Sequence, residues 1–167
     1  MALDRIPIPD GAPFVKVTRT INRPIQQTFD YIITIDLTHI FPPIGNVPGV
    51  ASTSIDKEWG KAGLERVNTS TDGSSTREKM LTVDGPHSFT YRIEGFTAPV
   101  LKSLLDHIEG GWILTDNGNG TTSIEWVYVL VPLNPQAMTQ VEQSLLKRYQ
   151  VRLESALTII KDDLEKD

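Results

Sequence analysis

The chain contains no cysteine. Disulfide frameworks, cysteine-ligated zinc, iron–sulfur clusters and thiol nucleophiles are therefore excluded. It also lacks any run of roughly 18 apolar residues, so no segment is expected to span a bilayer. The opening MALDRIPIPDGAP has prolines and acids where a signal peptide needs an unbroken apolar stretch, and a cytoplasmic location is the expectation. Positive charge is scarce: 16 basic against 21 acidic residues give a net charge of −5. Nucleic-acid partners need clustered cations, and anionic membranes attract them. No GxSxG, Walker loop or GxGxxG occurs. His39, His87 and His107 have no ligand partner at i+4 or at a recognised spacing, so neither a metal nor another cofactor is expected. Asp106 and His107 are not expected to pair, because adjacent strand residues diverge. Asp116-Asn-Gly-Asn-Gly lacks the acidic ladder of a calcium loop and reads as a hairpin turn.

What is present is 167 residues, the size of one domain with a sizeable core. Residues 1–13, broken by Pro7, Pro9, Gly11 and Pro13, read as a tail, and 14–167 as a single domain. Phe14–Ile21 alternates bulky and polar residues as a strand does. Pro24 suits a helix start, and Ile25, Phe29, Ile32 and Ile33 follow at helical spacing. A second short helix around Leu37–Phe41 ends at Pro42-Pro43, and residues 45–49 form an irregular loop. Strands are expected near 48–56, 59–70, 75–84, 88–96, 103–116 and 120–131, divided by turns such as Asp72-Gly73 and Asp84-Gly85-Pro86. Turns this short imply an antiparallel meander. From Asn134-Pro135 the period changes: Met138, Val141, Leu145, Tyr149, Leu153, Ala156, Ile160 and Leu164 mark one face of a helix about 30 residues, or roughly 45 Å, long. Lys147, Arg148, Arg152, Glu154, Lys161 and Asp162 are placed on its other side, and the final KDDLEKD is expected to fray. The fold class is α+β: about seven strands in a strongly bent antiparallel sheet around a long C-terminal helix, with two short helices after the first strand.

The local text supports that order. Pro24-x-x-x-x-Phe29 opens the first short helix, followed by Trp59-Gly60, Gly63-x-x-Arg66-Val67 and Arg77-Glu78-Lys79-Met80. Asp84-Gly85-Pro86, Tyr91-x-Ile93-x-Gly95, Gly111-Trp112-x-Leu114 and Gly120-Thr121-Thr122-x-x-x-Trp126 come next. Together these resemble the START-like (SRPBCC) helix-grip superfamily over about residues 14–165, which includes the birch-pollen allergen, plant abscisic-acid receptors and polyketide cyclase/aromatases. The nearest flavour is the bacterial polyketide cyclase/dehydrase and lipid-transport-like branch. The resemblance implies a hydrophobic cavity between sheet and long helix, and matches Arg66, Glu78 and Glu125 to strand positions facing it.

Strand parity sorts the remaining candidates. Phe89, Tyr91 and Ile93 are expected to face inward. Ile108, Trp112 and Leu114 share a face with Asp106 and Gly110. Along 120–131 either face can be the inner one: Glu125, Val127, Val129 and Val131 lie on one, Ile124, Trp126, Tyr128 and Leu130 on the other. The candidate ligand-binding set is Phe41, Arg66, Glu78, Met80, Phe89, Tyr91, Ile93, Ile108, Trp112, Glu125, Leu145 and Tyr149. A buried Arg66 needs Glu78, Glu125 or a ligand carboxylate as partner.

Three functions are compatible with this. The leading one is binding or carriage of a small apolar or amphipathic molecule, gated by the 41–49 loop and the 96–103 connection. A cyclase/aromatase or dehydratase would use Arg66 to stabilise an enolate and Glu78 or Tyr91 to move the proton, although an ion-paired carboxylate is a poor base. An interaction module would use an outer apolar face, with a homodimer as one form. Fold alone does not choose among them.

Overall fold

The computed structural model describes residues 7–54 and 59–166. The first six residues of the expected tail and positions 55–56 of the first meander strand lie outside the described residues, as does the last residue of KDDLEKD. The order is β1 (Phe14–Ile21), α1 (Ile25–Ile33), α2 (Leu37–Ile40), β2 (Val50–Thr53), β3 (Glu65–Ser70), β4 (Ser75–Asp84), β5 (Ser88–Glu94), α3 (Pro99–Leu104), β6 (Leu105–Asp116) and β7 (Thr122–Pro132). A 3-10 turn (Pro135–Ala137), α4 (Met138–Gln140), a π-helical turn (Val141–Leu145) and α5 (Leu146–Glu165) complete the chain. All seven strands form one antiparallel sheet in the order β1-β7-β6-β5-β4-β3-β2.

Side-chain alternation drives this arrangement. Val15, Val17 and Ile21 of β1 turn inward, and their partners Tyr128, Trp126 and Thr122 on β7 turn the same way. That settles the face of β7: Ile124, Trp126, Tyr128 and Leu130 join the core. Glu125 therefore points outward, half-exposed, and pairs with Lys16 at 3.3 Å. Val127 and Val129 share its face and are nevertheless buried within the chain. Against the inner face lie Leu153, Ala156, Leu157 and Ile160 of α5, with Phe29 and Ile32 of α1 closing one end.

Four local differences from the sequence expectation have physical causes. Trp59–Leu64 is not strand, because Gly60 (φ +122°) and Gly63 (φ +90°) hold backbone conformations that bend the chain. The 96–103 connection contains α3, opened by Pro99 at its first turn, so β6 starts only at Leu105. A register shift between Leu105 and His107 breaks strict alternation and swings Asp106 outward. Asp106 then bonds the neighbouring ring after all, Oδ2 lying 2.6 Å from His107 Nδ1. Finally, the first five residues of KDDLEKD are helical: α5 persists to Glu165, with Leu164 buried and Lys161 paired to Glu165.

The C-terminal helix is continuous but not uniform. Val141, Leu145, Tyr149 and Leu153 recur every four residues, each step overshooting the α-helical period by about 40°. The π-helical turn at Val141–Leu145 absorbs part of that drift and keeps the apolar stripe on the sheet. Asn134 caps the entry, its side chain accepting from the Ala137 N–H at 3.0 Å.

Candidate ligand-binding cavity

Between the sheet, α1, α2 and α5 lies a cavity of about 110 Å³. Its walls are aromatic. Trp112 and Trp126, directly paired across β6 and β7, stack with centroids 4.0 Å apart. Tyr128 meets Trp126 edge-on, and Tyr149 of α5 leans on Tyr128. Phe89 and Tyr91 continue the wall along β5. Tyr91 lies flat over Gly110, its cross-strand partner, where a Cβ would sit 2.5 Å from the ring. Its hydroxyl accepts from Trp126 Nε1 at 2.9 Å. Burial pushes the Tyr91 phenol well above its ordinary value and raises Tyr128 and Tyr149 too. All three remain protonated at neutral pH and are hydrogen-bond donors there, not bases.

The polar end is built on β3 and β4. Arg66 and Glu78 face each other across the two strands, each side chain only 6% exposed. Arg66 donates to both carboxylate oxygens, Nη2 to Oε1 at 3.1 Å and Nε to Oε2 at 3.4 Å, and Asn68 Nδ2 donates to Oε2 at 2.7 Å. Trp59 covers the guanidinium at 4.0 Å. Among the described residues no buried side-chain nitrogen or oxygen lacks a partner.

Of the residues singled out from sequence, Phe41, Arg66, Glu78, Phe89, Tyr91, Ile93, Ile108, Trp112 and Tyr149 line the cavity. Met80 and Leu145 do not: both are fully buried in the surrounding core. Glu125 is on the outer face of the sheet. Trp126 and Tyr128 do line it, as the unresolved parity of β7 had left open. So do Arg148 and Arg152, which the apolar stripe had assigned to the far side of the helix. Each stands one position before a stripe residue, about 100° around the helix, and the cavity extends to that flank. The trace available in sequence was an arginine pair at i and i+4 bordering the stripe.

A curled antiparallel sheet gripping a long C-terminal helix, with an aromatic cavity between them, defines a helix-grip protein. The chain belongs to the family described as polyketide cyclase / dehydrase and lipid transport, which matches residues 14–165. Solved structures of the same fold include Ara h 8.0201, at 17% identity and a TM-score of 0.63, covering 90% of this chain and 98% of that one. Protein Ms6760 from Mycobacterium smegmatis is 18% identical with a TM-score of 0.63, at 93% coverage of each chain. A Thalictrum norcoclaurine synthase point mutant, in complex with a transition-state analogue, is 13% identical with a TM-score of 0.65, covering 90% of this chain and 92% of that one. Identities this low establish the fold alone. No curated protein matches the chain significantly in sequence. Among the described residues no helix is long and apolar enough to cross a membrane.

Proposed function

We propose that the protein binds or carries a small hydrophobic or amphipathic molecule in the cavity between sheet and α5. The observation that carries this reading is the cavity itself, in which 18 of 28 lining residues are aromatic or aliphatic and the other ten are polar or charged, a composition suited to an amphipathic small molecule. The roughly 110 Å³ of space is smaller than the about 150 Å³ of apolar cavity that accommodates benzene, so a one-ring or short-chain body enters with some adjustment of the lining side chains. Larger ligands require the 41–49 loop to move.

The cyclase or dehydratase reading draws less support. Arg66 and Glu78, its two charged candidates, bond each other, and the fork that would meet an enolate is occupied by a carboxylate. The interaction-module reading is weakened because Val127 and Val129 on the outer face are already covered.

Native mass spectrometry of the purified protein, followed by denaturing extraction, is the direct test. The expected result is a co-purifying apolar small molecule, or quenching of Trp112 and Trp126 fluorescence by small aromatic or aliphatic compounds. A bare mass together with no quenching across such compounds overturns the proposal.

A further inference from the structure

Arg148 and Arg152 stand out among the cations. Arg19, Arg66 and Arg92 each meet a carboxylate, at 2.7, 3.1 and 2.8 Å respectively. Arg148 and Arg152 line the cavity one helical turn apart, and among the described residues neither has a carboxylate within ion-pair distance. Two like charges at i and i+4 on one helix face repel each other. Arg152 is also largely withdrawn from water, which disfavours its charge, and Arg148 adds to that effect. One N–H of Arg152 is used, Nη1 donating to the Pro48 carbonyl at 2.7 Å, and its guanidinium lies over Phe41 at 4.4 Å. A guanidinium has five N–H donors, so a fork remains available. Nothing in the overall charge of −5 calls for a cationic focus here. The interactions present fix Arg152 in place without neutralising it.

Resting on the cavity reading above, we infer that the ligand is an amphipathic monocarboxylate. Its carboxylate is held by Arg148 and Arg152 at the opening, and its one-ring or short-chain body lies against Tyr149, Tyr128 and Trp126. Arginine forks match carboxylate oxygens geometrically, and partial withdrawal from water strengthens the contact. The buried Arg66 is not the anchor, because Glu78 already satisfies it. Asp72 favours a single negative charge over a dianionic phosphate. It lines the same cavity within electrostatic range of Arg148, its Oδ1 already held by the Ser74 N–H at 2.9 Å and hydroxyl at 2.6 Å.

The test is titration calorimetry of the whole chain with matched pairs: phenylacetate and phenylacetamide, hexanoate and hexanamide, octanoate and octanamide. At least one acid is expected to bind tenfold or more tightly than its amide. Arg148→Gln, on a partly exposed side chain that makes no hydrogen bond among the described residues, should weaken that acid about tenfold and leave the amide within twofold. Arg152→Lys keeps the charge but loses the fork, and should weaken the acid several-fold more than its amide, with a small fall in urea midpoint from the altered Pro48 and Phe41 contacts. An amide that binds as tightly as its acid, or acid affinity untouched by Arg148→Gln, overturns the inference and leaves the cavity reading standing. The same holds if a neutral molecule co-purifies. If no member of any pair binds, the inference falls, and the cavity reading is decided by the co-purification and quenching test.

Discussion

Replacing Arg66 with methionine should remove a large part of the protein's stability, because it strands a buried anion. Glu78 now receives three hydrogen bonds, two from Arg66 and one from Asn68, in a site only 6% exposed. Breaking a buried pair on one side costs on the order of 3–5 kcal/mol. Loss of the guanidinium over Trp59 adds about 0.5–1 kcal/mol. Against a total of about 5–15 kcal/mol, the variant would be marginal. At about 2–4 °C per kcal/mol for a chain of this length, the melting temperature should fall by roughly 7–24 °C. The double variant Arg66→Met/Glu78→Leu discriminates the cause. It removes both charges and leaves the Asn68 Nδ2 donor unpaired, at about 1–3 kcal/mol, while Asn68 Oδ1 still accepts from Thr53, so it should recover much of the loss. Urea unfolding followed by far-UV circular dichroism measures all three proteins. An Arg66→Met variant within about 1 kcal/mol of the parent, or a double variant no better than the single, would refute the argument that stranding the charge is what costs.

Further expectations follow from single contacts. Gly110→Ala places a Cβ 2.5 Å from the Tyr91 ring, so it should cost about 1–3 kcal/mol in urea unfolding and perturb tryptophan fluorescence as Tyr91 is displaced. Trp126→Phe deletes the indole donor to the Tyr91 hydroxyl and should cost more than burial area alone predicts, by about 1 kcal/mol, a difference that Tyr91→Phe in the same background should largely remove. Asp163 accepts from Tyr31 and also contacts His39 Nε2 at 2.7 Å, and these contacts hold its carboxyl below the ordinary aspartate value. A depressed folded-state value means the stabilisation is complete above the unfolded aspartate range, near pH 4, and is lost as pH falls through the folded value. Asp163→Asn should therefore destabilise at pH 7 and have little effect near pH 2, and equal destabilisation at both would contradict the linkage.

The elements were legible where one signal dominated. The alternation of Phe14–Ile21, the Asp-Gly and Asn-Gly turns and the change of period after Pro135 specify the meander and the gripping helix. β7 was not legible alone because both its faces are apolar. Its orientation follows only once Val17 is paired with Trp126 and Val15 with Tyr128, which is information held by another strand. The Asp106–His107 contact depends on a one-residue register shift that periodicity cannot announce. The polar end of the cavity was visible as residue types, and Arg66 with Glu78 was among the pairings foreseen. Arg148 and Arg152 were hidden for a geometric reason: an amphipathic stripe divides a helix into inside and outside, whereas a cavity on its flank recruits the border between them.

The π-helical turn at Val141–Leu145 also makes chain length a variable of the site. Such a turn is equivalent to one residue inserted into an otherwise α-helical rod, so removing one residue there can restore ordinary i→i−4 bonding without a break. Because the extra residue is taken up within that turn, the deletion would leave the segments on either side close to their present orientation. Leu153, Ala156, Leu157 and Ile160 would keep the downstream half in the core, and Asn134 would keep its cap at the upstream end. Relatives lacking one residue here would carry the same cavity wall beneath the same β7–helix junction. Aligning this helix without a gap would then misplace every position upstream of the turn.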